Sequence, residues 1–331
     1  MIKVYIPDLH LHRNETTFRP FLPYFNEMGL TLTERSFNAD MVWVGHASYM
    51  NKKIDFNKSI SSGVKFLESI KNKNIYLFDG QDSGTLKGSI ELSNVPGVVK
   101  IFKNSLYNYN LPSVNGRIFW PDASGYTSTV NEKIFLSGTN WLSTVAYSEP
   151  FPETDKPIDI FAMFQYPGKI NYEWNERIDY YYTEHRKKCI NELNRLESKY
   201  NIVTVCNTGY VDYNTYINTM RMSKVVIAPF GYGEIAPRDI ESAICGCSLV
   251  KPKMDHVHTY PNIYINNKTY IGCEWDYTDL HSAIDTAITH RRTLSNNMLT
   301  EFKNKYTPAS QMTFFVNQLL MSNPNLCIDV N

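Results

Sequence analysis

Two glycines, an arginine and two glutamates follow one another closely between Gly231 and Glu241. Together these residue types suit an anionic ligand that also carries hydroxyls. Backbone N–H groups at a helix start favour phosphate, and Arg238 adds a charge-assisted, bidentate-capable contact. Glu241, one turn further in, is suited to accept hydrogen bonds from ribose hydroxyls, with Glu234 at the mouth of the turn. Gly231 and Gly233 stand where backbone must pass close to something or take positive φ. The same residues also fit an ordinary strand-to-helix turn in which Arg238 is a surface partner of Glu234 or Glu241, and spacing alone leaves both readings open.

A second set is scattered in sequence. His46, Asp79, Gln81, Asp82 and Lys103 each follow a short apolar run, and a carboxylate or imidazole in a cleft can take a proton from a hydroxyl. Asp82 or Asp79 is the expected base, with His46 as a further candidate. Asp79-Gly80 is equally a turn signal, closed by the aspartate's own hydrogen bonds. His46 also reads as a plain strand-end histidine, and Lys103-Asn104 as a helix cap.

The elements that must carry these residues alternate. Val225 to Ala228 is a β-branched run suited to a strand buried on both faces, and Pro229 to Gly233 stops it. Pro237 fits a first helical turn, Ile240, Ala243 and Ile244 give the apolar face, and Cys245-Gly246-Cys247 ends the helix before Leu249-Val250. Earlier strands are expected at Ile2–Ile6, Met41–Val44, Ile75–Phe78 and Val98–Phe102, with a helix over Ile60–Ile70 and another over Phe18–Met28 interrupted by Pro20 and Pro23. From Gly116 to Asp155 the pattern blurs into loops or hairpins, and Glu149 to Glu153 reads as a linker. Strand, helix, strand, helix then resume through Ile158–Ala162, Tyr180–Leu196, Ile202–Val205 and Tyr213–Met222. Helices are expected near Asp279–His290 and from Leu294 to Met321, broken at Pro308. Such alternation implies parallel sheets, with strand-end residues facing a crevice.

The stretch FGYGEIAPRDIESAICGCSLVKPKMDHVHTYP resembles the donor-site segment of GT-B glycosyltransferases, particularly the exostosin-like and group 1 or CgeB-like types. The likeness covers roughly forty residues well and the rest in outline. It implies an α/β fold of two Rossmann-type domains with parallel sheets facing a central cleft. Residues 1–150 would form an acceptor-side domain, 151–310 a nucleotide-sugar domain, and 311–331 a helix crossing back. By position, Gly231, Gly233, Glu234, Arg238 and Glu241 would hold the diphosphate and ribose, and Lys251 to His258, with His256 among them, would border the sugar. Arg186 falls where such transferases face the phosphates; it also reads as part of a solvated face with Lys187 and Lys188. One departure is plain: relatives with paired acids have seven residues between them, whereas Glu234 and Glu241 have six.

The implied activity is transfer of a sugar from a nucleotide-sugar donor to a hydroxyl of a glycan or small acceptor, with no cofactor and no metal. His256 and His258 lack a third ligand motif nearby, and Asp79-Gly-Gln-Asp82 does not have the Asp-x-Asp spacing of metal-dependent transferases. Glycosylation of a modified DNA base and a non-catalytic glycan- or nucleotide-binding module are the alternatives. An NAD-type oxidoreductase is discounted, because Pro7-Asp8-Leu9-His10 stands where its glycine fingerprint would follow the first strand.

Composition agrees. The chain has 331 residues, enough for two domains, and its 33 basic and 33 acidic residues give no footprint for bulk nucleic acid. No signal-like or membrane-spanning apolar run occurs, so a cytoplasmic protein is expected. The six cysteines form no metal or disulfide framework and are expected reduced.

Overall fold

The computed structural model describes residues 1–10, 18–49, 56–70, 74–79, 88–107, 133–136, 149–164, 176–204, 211–231, 233–260, 262–305 and 307–322. Asp82 and Gln81 lie outside the described residues.

The first part of the chain contributes Ile2–Tyr5 (β1), Leu30–Leu32 (β2), Met41–Gly45 (β3), Ile75–Asp79 (β4), Val98–Lys103 (β5), Ser105–Tyr107 (β6) and Ile134–Leu136 (β7). All but β6 join a parallel sheet, which among the described residues has six strands in the order β2-β1-β3-β4-β5-β7. β3 and β4 are buried along their whole length, as expected of central parallel strands covered on both faces. His46–Tyr49 (α1), Phe56–Ser69 (α2) and Ser89–Ser93 (α3) connect them.

The second part supplies Ile158–Ala162 (β8), Ile202–Thr204 (β9), Ser223–Ile227 (β10), Ser248–Pro252 (β11), Val257–Thr259 (β12) and Ile271–Cys273 (β13). Its parallel sheet has five strands among the described residues, in the order β13-β11-β10-β8-β9. The helices here are Glu176–Leu196 (α4), Tyr213–Arg221 (α5), Pro237–Ile244 (α6), Leu280–Thr289 (α7), Arg291–Lys305 (α8) and Pro308–Ser322 (α9). The fold is α/β and GT-B-like, two Rossmann-type units.

Two features join the units. β6 and β12 pair antiparallel, with Tyr107 opposite Val257 and Ser105 opposite Thr259. Since β6 begins just past the carboxyl end of β5, and β12 a few residues past that of β11, the ribbon brings the carboxyl edges of both sheets together. That is the edge at which ligands bind in open α/β sheets. The second feature is α9, whose Met312, Phe315, Val316 and Leu319 share a core with Phe21, Trp43 and Phe102 of the first unit.

Three local expectations change. Phe18–Met28 forms turns and one short 3₁₀ helix, Leu22–Tyr24, rather than an α-helix, because Pro20 and Pro23 remove donors from the ladder. Lys103 ends a strand and Asn104 bends into β6 instead of capping a helix. Within the blurred region, Ile134–Leu136 is a parallel strand beside β5.

Candidate active site between the two units

The turn after β10 is held from behind. In α4, His185, Cys189 and Leu193 recur at i, i+4 and i+8 and are all buried, so the stripe that packs on the sheet carries a histidine at its upper end. Nε2 of His185 accepts the Phe230 N–H at 3.3 Å and lies 2.6 Å from the Tyr277 hydroxyl. An N–H can only donate, so Nε2 is the unprotonated nitrogen. Burial first, then the charges of Arg186 and Lys188, push this imidazole down to about 3.

Arg186 is 7% exposed, and its Nε donates to the Phe230 carbonyl at 3.0 Å. Its guanidinium lies 5.4 Å from the centre of the Phe164 ring, and that of Arg238 lies 6.0 Å from the same ring. Two cations from different helices thus gather on one aromatic ring beside the turn. A Cβ at Gly231 would stand 3.4 Å from the Arg186 guanidinium, and its φ is not positive. Close approach, rather than left-handed backbone, is what glycine permits there. The Gly231 N–H donates to the Gly233 carbonyl at 3.0 Å.

The start of α6 is closed by its own sequence. Pro237 occupies the first turn, and Asp239 accepts the Ala236 N–H at 3.2 Å, the acidic half of a capping box. Asp239 also accepts from Lys251 Nζ at 2.6 Å and from the Tyr264 hydroxyl at 2.7 Å. Lys251, only 1% exposed, donates in addition to the Glu234 carbonyl at 2.6 Å. Its ammonium therefore sits beneath the turn and fixes it. Burial lowers its proton affinity, against which Asp239 and Glu234 act. Arg238 donates from Nε to the Tyr216 hydroxyl at 3.2 Å, and Glu241, 4% exposed, accepts from the Tyr213 hydroxyl at 3.2 Å. Tyr213 and Tyr216 reach these residues because α5, capped by Asp212, turns its i and i+3 positions toward α6.

α6 ends in a Schellman motif. Gly246 has φ of 67°, its N–H bonds the Ala243 carbonyl at 2.9 Å, and the Cys247 N–H bonds the Ser242 carbonyl at 2.8 Å. The sharp stop sends Ser248 straight into β11, which delivers Lys251 and, past its end, His256.

Glu234 and His256 are 1% and 0% exposed, and His256 Nε2 is 3.8 Å from Glu234 Oε1. Tyr107, on β6 of the first unit, donates its hydroxyl to Glu234 Oε1 at 2.9 Å. Among the described residues, Glu234 Oε2 and both ring nitrogens of His256 have no hydrogen-bond partner, although the ring lies within ion-pair reach of Glu234 and Asp255. The rings of Phe230 and Trp275 stand 5.8 Å and 5.7 Å from that of His256. Buried polar atoms are nearly always satisfied, so such a group marks a place where another molecule supplies the bonds.

At the edge of the first sheet, the register sets Gly45 opposite Phe78 and Asp79 opposite Lys103, so His46, Asp79 and Lys103 fall in one row. Asp79 is fully buried. Its carboxylate accepts from Lys103 at 2.9 Å and from the Ser89 hydroxyl at 2.5 Å, and lies 3.6 Å from His46 Nδ1. Burial alone would raise its pKa, but Lys103 and His46 outweigh that and hold it well below the usual carboxylate range. A carboxylate held so low takes up protons poorly.

Sequence reasoning singled out Arg186, Arg238, Glu234, Glu241, His256 and the glycine turn as candidates, and the fold brings these together. It passed over Asp239, whose signal was its place three residues after the helix cap, and over Tyr107 and Phe164, which only tertiary structure brings in. Among the described residues no group of three or more His, Cys, Asp or Glu side chains could hold a metal ion.

No protein-family model and no curated protein matches the chain. Solved structures do. A glycosyltransferase from Rickettsia africae ESF-5 superposes with a TM-score of 0.54 at 10% identity, over 98% of this chain and 98% of that one. An alpha1,3-fucosyltransferase gives 0.49 at 14% identity, over 99% of this chain and 91% of its own. TarM gives 0.48 at 12% identity over 84% of this chain, which spans 54% of TarM's length. The architecture is thus one that a glycosyltransferase shares along its whole length.

Proposed function

We propose that the protein is a GT-B-type glycosyltransferase that moves a sugar from a nucleotide-sugar donor to a hydroxyl of a glycan or other small acceptor, without a metal ion. One observation carries the reading: the guanidiniums of Arg186 and Arg238 both lie within 6.0 Å of the centre of the Phe164 ring beside the glycine turn. Two guanidiniums held at one ring beside a turn of backbone N–H groups form a cationic site that suits a diphosphate. The exostosin-like or CgeB-like subtype is a finer proposal, resting on the pattern from Phe230 to Pro261.

In this reading the diphosphate lies against Gly231, Gly233 and the start of α6, with Glu241 toward the ribose and the Glu234–His256 pair toward the sugar. Lys251 holds the turn from beneath. The negative charge that grows on the departing diphosphate is met by the fixed guanidiniums and backbone N–H groups, the task a metal ion performs in other transferases. His46 takes the acceptor's proton, and the ionised Asp79 beside it orients the ring and favours the imidazolium that forms. Asp82 remains a candidate for the same step. The described residues include no helix long and apolar enough to cross a membrane. The four described cysteines, Cys189, Cys245, Cys247 and Cys273, form no disulfide with one another, which suits a reducing compartment such as the cytoplasm.

The test is a thermal-shift screen with UDP, GDP, CMP and ADP, their sugar conjugates, and NAD as control. A ligand that binds only the folded state raises its melting point. A shift with one nucleoside diphosphate supports the donor site, and no shift with any at millimolar concentration sinks it. Binding without turnover, unaffected by substitution of His46, Asp79 or Asp82, would favour the non-catalytic module.

A further inference from the structure

We infer that Tyr107, contributed by the first unit, is a positioning residue for the sugar end of the second unit's donor site, where Glu234 and His256 read the hydroxyls of the transferred sugar. This rests on the nucleotide-sugar reading above and deepens it.

Tyr107 is not an ordinary member of its own unit. It is 3% exposed and packs in the core that contains Phe230, Met254 and Val257. The ribbon pairing fixes its backbone opposite Val257, the residue after His256. Its ring runs nearly parallel to the imidazole of His256, 6.2 Å away at an interplanar angle of 17°. Its hydroxyl donates to Glu234 Oε1. That single bond fixes the carboxylate's rotation and leaves Oε2 as an acceptor beside an imidazole that offers one donor and one acceptor. An acceptor, a donor and a further acceptor, enclosed by Phe230, Trp275 and Tyr107, match a ring that presents neighbouring hydroxyls at its edge and C–H groups on its face. A pyranose has that chemistry, and a bare nucleotide phosphate does not.

The phosphate end is built differently. Its cations Arg186 and Arg238, and the Phe164 ring beside them, all belong to the second unit. The two ends of the donor should therefore respond differently to loss of one oxygen atom.

The experiment is calorimetric titration of wild type, Tyr107→Phe, Glu234→Gln and the double variant with UDP, UDP-glucose, GDP and GDP-mannose. Tyr107→Phe is expected to leave affinity for the diphosphate that binds wild type within about twofold, and to weaken the matching nucleotide sugar by about tenfold. Glu234→Gln should show the same selectivity, and the double variant little further loss, because both changes remove one arrangement. Equal weakening of diphosphate and nucleotide sugar would mean only damage to the ribbon and would overturn the inference, as would unchanged sugar affinity or fully additive losses. Should wild type bind neither diphosphate nor conjugate, the donor reading itself falls and takes this inference with it.

Discussion

His185 and Arg186, neighbours in α4, grip opposite ends of one residue: the first accepts the Phe230 N–H and the second donates to the Phe230 carbonyl. One turn of helix thereby sets the backbone from which the glycine turn departs. The same pair supplies one of the two guanidiniums that lie near the Phe164 ring. Turn geometry and phosphate clamp are coupled through adjacent side chains.

The buried imidazole makes stability depend on pH. His185 titrates near 3 in the folded protein against 6.5 when free, so on acidification the unfolded chain takes the proton first. Its contribution is whole above about pH 6.5 and is lost progressively as pH falls toward 3, at about 1.4 kcal/mol per pH unit. Urea unfolding at pH 6.5 and 4.5 should show wild type losing about 2–3 kcal/mol more than His185→Gln does. Equal losses would mean that His185 is not buried neutral.

Arg238→Ala should weaken binding of the nucleoside diphosphate by about 1.5–3 kcal/mol, the worth of a hydrogen bond to a charged group. Arg238→Lys should recover only part of that, since an ammonium cannot fork across two phosphate oxygens. Titration calorimetry reads both, and an unchanged affinity in the alanine variant removes Arg238 from the site.

At the first sheet the two partners of the row should separate. His46→Ala is expected to leave donor binding intact and to lower turnover by about a hundredfold or more, the usual worth of a general base. Asp79→Asn strands the buried Lys103 ammonium and should cost about 3–5 kcal/mol of stability. Because the folded carboxyl is held below its free value of 3.8, its contribution is present above about pH 4 and fades below that. A fully stable, fully active Asp79→Asn protein would refute this account.

Gly246→Ala should destabilise by about 1–2 kcal/mol, the cost of a side chain in the left-handed region. Thermal unfolding checks it. The cost should appear without change in nucleotide affinity if α6 keeps its first turn.

Much of this architecture was readable along the chain. β3, β4, β8 and β10 declare themselves as short runs rich in aliphatic and aromatic residues, and α6 by proline at its start and glycine past its end. β2, β7 and β13 did not, because three residues are too few to show a period. The β6–β12 pair was invisible for a different reason: its partners stand 150 residues apart, Tyr107 against Val257, and nothing local specifies such pairing. The site divides the same way. Arg238 and Glu241 announce themselves by spacing on one helix, whereas Tyr107 meets Glu234 only through that long-range ribbon. Asp79 was legible as chemistry, but its burial against Lys103 was not, and the proposed base is therefore His46 or Asp82 rather than Asp79 itself.

The crossing of α9 bears on how the protein is made. Trp43 and Phe102 emerge from the ribosome early, yet the core they belong to is completed by Phe315 and Leu319. During synthesis the first sheet must wait, with aromatic surface uncovered, until the second unit and α9 have been translated. The core of the first sheet is closed only by residues that follow the second unit, so truncation before Pro308 should damage the distant first sheet more than the unit it adjoins.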